Sequence, residues 1–184
     1  MDETDLPASV QALIDRQAIN DCLAAYCRGI DRHDRALLLS AYHDDAQDDH
    51  GVFCGTAEEF ADWAIDYHGK YQLGHNHYIL NHRCDLDDDV AHTETYYIFS
   101  GLNREGPPVL SGGRYIDRFE KRVGRWAIAD RRCLIEWTGF LGEADFPAEH
   151  LAALGSGGIA ARDTSDTSYD RPLAVTSQHR IFPY

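Results

Sequence analysis

Positive charge is scarce in this chain. Only 17 Lys and Arg stand against 31 Asp and Glu, for a formal net charge of −14. Nucleic acid and anionic membrane surfaces both need a basic face, so neither is expected as a partner. The acidic excess reads instead as a solubility device. Long apolar runs are missing too: no stretch approaches the roughly 18 residues of a membrane-spanning helix. The opening Met1-Asp2-Glu3-Thr4-Asp5 lacks the basic-then-apolar pattern of a secretory leader. Five cysteines (Cys22, Cys27, Cys54, Cys84, Cys133) are scattered without a Cys-x-x-Cys pair. An odd, unpatterned set reads as reduced thiols, and a cytoplasmic location is expected. Gly112-Gly113 is followed by neither a helix start nor Lys-Ser/Thr, which excludes a phosphate loop there.

What remains is a chain of 184 residues, 43% hydrophobic, enough for one domain with a real core. Residues 7–28 have helical periodicity, with Val10, Leu13, Ile14, Leu23 and Tyr26 mainly on one face. Pro7 and Ser9 suit the start of this helix and Gly29 its stop. A short second helix is predicted over 35–42, followed by a polar, turn-rich stretch over 43–55. Thr56-Ala57-Glu58-Glu59 is a capping-box signature. It opens a third helix, to about Tyr71, with Phe60, Trp63, Ala64 and Tyr67 at three- and four-residue spacing. After Gly74 the period falls to two, and strands are predicted over 76–86, 90–102, 109–121 and 125–138. Three helices followed by an antiparallel meander make an α+β pattern. Residues 1–140 form the expected domain. Residues 141–184 read as a loop-rich extension, a candidate lid or subunit contact, ending in the apolar Arg180-Ile181-Phe182-Pro183-Tyr184.

The candidate chemistry centres on Asp31, at the end of the first helix, and His77, at the start of the first long strand. A carboxylate that accepts the imidazole Nδ1–H fixes the tautomer and leaves Nε2 to take a proton. Such a base needs neither metal nor cofactor. Tyr26, five residues before Asp31, would lie on a nearby helix face and could donate to an oxygen; packing explains it equally well. His75 shares a strand face with His77, and His-x-His can bind metal, but no third ligand stands out and no metal is expected. Asp34 reads as a helix cap, and Asp44, Asp45, Asp48 and Asp49 as a solvated acidic loop. Among Arg114, Arg131 and Arg132, strand parity with Leu134 and Thr138 favours Arg132 as the inward residue, against an outer-face role. Trp63, Tyr67, Tyr96, Tyr97, Phe99 and Trp137 are core aromatics or the lining of a pocket, with Trp63, Tyr97 and Trp137 the expected substrate contacts. Cys27 and Cys133 read as small apolar side chains.

Ala18-Ile19-x-Asp21, Tyr26, Gly29-Ile30-Asp31, His77-Tyr78, Tyr115-Ile116-Asp117-Arg118-Phe119-Glu120 and Gly124-Arg125-Trp126-Ala127-Ile128-Ala129 together resemble the NTF2-like, or SnoaL-like, superfamily over roughly residues 8–140. The resemblance implies a curved antiparallel sheet wrapped around helices to form a cone with an internal pocket. It is strongest toward the branch of scytalone dehydratase, hexachlorocyclohexane dehydrochlorinase and bile-acid 7α-dehydratase. An Asp–His pair inside the cone is shared there, matching Asp31 and His77, and Tyr26 matches an assisting tyrosine of the bile-acid enzyme. The resemblance implies a cofactor-independent lyase acting on a small hydrophobic ring compound, with a homo-oligomer, a trimer above all, as its assembly. An isomerase using the same base and a non-catalytic ligand-binding module are the alternatives, because fold alone does not settle function.

Overall fold

The computed structural model describes residues 7–142 and 147–175. Helix α1 spans Ala8–Asp31, α2 Arg35–Ser40 and α3 Ala57–Tyr71. Strands are β1 (Tyr42–Asp49), β2 (Cys54–Thr56), β3 (Gln72–Asp87), β4 (Val90–Asn103), β5 (Val109–Arg122) and β6 (Arg125–Phe140). They form one sheet in the order β2-β1-β6-β5-β4-β3. All neighbours are antiparallel except β1 and β6, which run parallel. Helix α4 (Ala148–Leu154) follows the sheet. This is the expected α+β cone, with the N-terminal helices packed on a curved six-stranded sheet.

Helix α1 buries Ile19, Cys22, Leu23, Tyr26, Cys27 and Ile30, a stripe at three- and four-residue spacing. The apolar residues of its first turns, Val10, Leu13 and Ile14, are exposed instead. The helix continues to Asp31, two residues past the predicted stop at Gly29. Gly29 lies within it because a Cβ there would fall 2.4 Å from the backbone nitrogen of Leu38, so glycine allows α2 to approach. The chain turns only at His33, at a φ of 54°. Asp34 then caps α2, its carboxylate accepting from Leu37 N at 3.0 Å. The capping box of α3 forms as the sequence predicts, between Thr56 and Glu59.

Only 50–53 of the 43–55 stretch is a turn. Tyr42–Asp49 is a strand inserted beside β6, and Asp48, expected to be solvated, is 1% exposed. Its carboxylate accepts the Tyr42 hydroxyl at 2.6 Å and engages His50 Nδ1. These partners overcome the ordinary aversion of aspartate for a buried strand.

The middle of the cone holds an ion pair. Arg131 Nε and Nη2 donate to the two Asp117 oxygens at 2.7 and 2.8 Å, both side chains fully buried. The guanidinium lies between the rings of Tyr26 and Tyr115, 4.2 and 4.1 Å from their centroids. Burial works against the charge of Arg131, but the Asp117 carboxylate outweighs it and holds the guanidinium well above its usual range. Arg131 is therefore the inward arginine, and Arg132, expected to face in, lies on the exposed outer face. The parity argument failed at a bulge. Gly113 pairs with Ile135 and Gly112 with Trp137, leaving Glu136 as an extra residue that reverses the alternation. Thr138, used to set the parity of Arg132, lies beyond that reversal, and Leu134, used with it, shares the face of Arg132 but is 40% exposed on the outside. A Cβ at Gly113 would fall 1.8 Å from the Leu134 carbonyl oxygen, so glycine is required opposite the bulge.

Beyond β6 the extension is not all loop. Its 159–170 portion packs back on α1. Arg28 donates to Ser168 Oγ at 3.1 Å and lies over the Tyr169 ring, while Arg32 reaches Asp166 at 3.2 Å and the Ala161 carbonyl at 2.8 Å. The apolar ending at Arg180–Tyr184 lies outside the described residues. No helix among the described residues is long and apolar enough to cross a membrane.

Replacing Arg131 with Met should destabilise the fold by about 3–5 kcal/mol, because it strands a buried carboxylate. Urea unfolding measures this, and adding Asp117→Leu should return part of the loss.

Candidate active site

A cavity of about 560 Å³ opens between α3 and the concave face of the sheet. That is an ordinary size for a small-molecule site. Trp63, Tyr67, Tyr97 and Phe99 give it an aromatic lining, and His50, His68 and His77 supply its imidazoles. Trp137, expected among the lining residues, is instead 45% exposed and lies against Gly112. The same bulge at Glu136 turns it outward.

Asp31 comes from the last turn of α1, and β3 brings His77 to it. One Asp31 oxygen accepts His77 Nδ1–H at 2.7 Å, and the other accepts the His77 backbone N–H at 3.0 Å. Two contacts to one residue fix both the ring and the strand. Nε2, on the opposite edge of the ring, is left to the cavity that His77 lines. Phe99 packs on the ring at 5.0 Å between centroids. Tyr26 meets it edge-on at 6.2 Å. Tyr26 is fully buried, and burial holds its hydroxyl well above the usual phenol range, so it stays a donor.

His75 points the same way as His77 and stacks on His68 at 4.1 Å. His68 Nδ1 bonds the Gln72 side-chain oxygen at 2.7 Å. Burial pushes His68 down to about 3, with the neighbouring His77 adding to it, and burial pushes His75 down in the same direction. Both rings are neutral spacers beside the Asp31–His77 pair. Among the described residues, ligand atoms of Asp31, His75 and His77 lie within 4.8 Å of one another. The donor set fits a metal poorly, however. His75 Nε2 faces the Ile30 carbonyl at 3.2 Å and must carry a proton, as must His77 Nδ1 facing its carboxylate.

Sequence reasoning did not assign a role to the opposite wall. His50, one residue beyond β1, stacks on Phe60 at 4.4 Å and places Nε2 3.3 Å from the Tyr26 hydroxyl. Burial lowers its basicity, but Asp48 on Nδ1 outweighs burial and raises it to about 9. The period-two run Ala46, Asp48, His50 was the available signal, hidden by acidic composition. Arg114 is on the outer face, bonded to Glu94 at 2.9 Å and to Glu136. Cys27 and Cys133 are buried thiols, and burial pushes Cys27 up to about 12.

The sequence matches the SnoaL-like domain family over residues 11–132, and the chain belongs to that family. Among solved structures it is similar to hexachlorocyclohexane dehydrochlorinase type 2, with 23% identity and a TM-score of 0.70 over 76% of this chain and 97% of that one. The type 3 dehydrochlorinase of Novosphingobium barchaimii LL02 follows at 20% identity and a TM-score of 0.67, covering 76% and 99%. A protein provisionally described as a scytalone dehydratase, from Novosphingobium aromaticivorans DSM 12444, shares 18% identity at a TM-score of 0.66, covering 74% and 93%. At these identities the likeness is one of fold. No curated protein matches the sequence.

The histidines impose opposite pH dependences on stability. The unfolded chain binds a proton at His68 below about 6.5 that the folded one refuses until about 3, so stability should fall as pH drops through that window. His50 is raised, so its contribution is complete below about 6.5 and fades as pH rises to about 9. Urea midpoints at pH 4, 6.5 and 9 check both limbs: His68→Gln should flatten the acid limb and Asp48→Asn the alkaline one.

Proposed function

We propose that the protein is a cofactor-independent lyase acting on a small hydrophobic ring compound. The observation that carries this reading is the double contact of Asp31 with His77 at the wall of an aromatic cavity. Asp31 holds the neutral tautomer with Nε2 unprotonated, and His77 takes a proton from a carbon beside a carbonyl or an aromatic ring. The C–H pair becomes the new π bond and a hydroxyl or a halide departs with its bonding pair; for loss of formaldehyde, His77 instead takes the proton of a hydroxymethyl O–H, and the C–C pair passes to the carbon beside the carbonyl or ring. Asp31 then stabilises the imidazolium formed. Tyr26 donates to the leaving oxygen or to the developing enolate, and Trp63 and Tyr97 hold the ring of the substrate. General-base catalysis contributes about 10²–10⁴-fold, with positioning in a largely apolar cavity supplying the remainder.

The dehydrochlorinases and the dehydratase-described protein that share this fold support elimination as the reaction class. The same base could instead return its proton to the substrate at another carbon, as an isomerase would. A pure binding module has no use for an imidazole oriented through both ring and backbone. Self-association belongs to the proposal as well, with a trimer as the expected state. The outer sheet face exposes Tyr78, Leu80, Tyr96, Leu134 and Trp137, apolar surface of the kind subunit contacts cover. Sedimentation equilibrium tests the assembly.

The decisive screen incubates metal-chelated protein with hydroxylated, halogenated and ketonic ring compounds, without added cofactor, and reads products by mass. Loss of water, hydrogen halide or formaldehyde is expected. His77→Ala and Asp31→Asn should each reduce the rate by roughly 10²–10⁴-fold. An unchanged mass at a new retention time would establish the isomerase. Products formed equally well by both variants would remove His77 from the mechanism.

A further inference from the structure

The Asp31–His77 pair accounts for removal of a proton but not for where the leaving group finds one. The wall opposite carries a second carboxylate–imidazole pair of contrary character. Asp48 is buried and takes two hydrogen bonds, one from the Tyr42 hydroxyl at 2.6 Å and one from His50 Nδ1. His50 Nε2 then faces the Tyr26 hydroxyl at 3.3 Å. Tyr26 stands between the imidazoles, its hydroxyl on His50 and its ring edge-on to His77.

We propose that His50, held by Asp48, supplies through the Tyr26 hydroxyl the proton that the departing oxygen takes, so that the site takes substrates whose leaving group is hydroxyl or alkoxide rather than halide. This rests on His77 as the base of an elimination. A hydroxide is a poor leaving group and needs a proton as the carbon–oxygen bond breaks; a chloride needs none. A cationic donor set into a neutral aromatic wall is of use only in the first case.

The step balances as follows. His77 Nε2 takes the proton from carbon, and the C–H pair becomes the new π bond. The C–O bond breaks with its pair going to oxygen, which takes the Tyr26 proton while His50 Nε2–H reprotonates Tyr26. Water or an alcohol leaves. His77 ends protonated and His50 neutral, and exchange with solvent through the cavity mouth restores both.

The groups facing His50 agree with this role. Asp48 comes from β1, Tyr26 from α1, Tyr115 and Asp117 from β5, and Cys133, whose side chain also hydrogen-bonds His50, from β6; α3 contributes the apolar face of Phe60. Arg131 is neutralised by Asp117. Asp48 is thus the carboxylate that sets the charge of His50, and His50 remains an imidazolium up to about pH 9. His68 and His75, pushed the other way by burial, do not compete as donors.

The test combines imidazole nitrogen NMR with a matched pair of probes, 4-hydroxy-4-phenylbutan-2-one and 4-chloro-4-phenylbutan-2-one, which eliminate to the same enone. His50 should be doubly protonated at pH 7.5 and titrate near 9. Asp48→Asn should lower that midpoint. His50→Gln should slow elimination from the alcohol by about 100-fold or more, and from the chloride by at least tenfold less. It should also erase the alkaline limb of the rate profile. A neutral His50 at pH 7.5, or equal losses on both probes, overturns the assignment. His77→Ala separates the two ideas: full activity on both probes removes the base and leaves the acid standing on its own ratio. If His50→Gln fails to fold by circular dichroism, Asp48→Asn carries the same comparison. If the wild type turns over neither probe, the spectrum decides alone.

Discussion

The cation of Arg131, buried between two tyrosines and bonded through two nitrogens to Asp117, is the constraint around which this cone is built. A charge at that depth is tolerated only if its partners do not move. Tyr26 must therefore stay on α1 where the guanidinium needs it, and Tyr115 on β5. Tyr26 in turn touches Tyr42, Phe60, His50 and His77, so rigidity at the ion pair is passed to both walls of the cavity. An active site of this kind needs its imidazoles held within a fraction of an ångström, and here the fixing begins away from them.

The cavity sets two imidazoles of unlike character against each other. Both are bonded to a carboxylate through Nδ1. What separates them is their surroundings. Asp31 turns both oxygens to one residue, the ring and the backbone of His77, with the His75 ring 3.6 Å away. Asp48 is buried at the end of a strand and concentrates on His50 and a single tyrosine hydroxyl.

Much of this was legible in the chain. The change of period after Gly74 and the capping box at Thr56 follow from local pattern, because each is set by residues close in sequence or by a periodicity long enough to read; the pairing of Asp31 with His77, 46 residues apart, rested on the resemblance to the family. What was hidden depended on partners far away. β1 carries Asp44, Asp45, Asp48 and Asp49, a composition that speaks for loop; it is a strand only because β6 and Tyr42 satisfy it. Gly29 looked like a helix stop and is instead the contact point of a second helix. Arg132 was placed by counting alternate residues and Trp137 by its aromatic character, and a single extra residue at Glu136 is invisible to both.

The parallel join of β1 to β6 has a consequence for synthesis. Asp48 pairs with Arg131, so a strand made early waits for one made nearly last. Until β6 emerges, β1 has only the three residues of β2 beside it, and the Arg131 side chain that anchors Tyr26 does not yet exist. Long-range pairings of this kind are formed late and leave strand edges open in the meantime. The acidic side chains of β1, so misleading in the sequence, then serve a nascent chain well: an unpaired strand bristling with like charge repels its copies on neighbouring ribosomes.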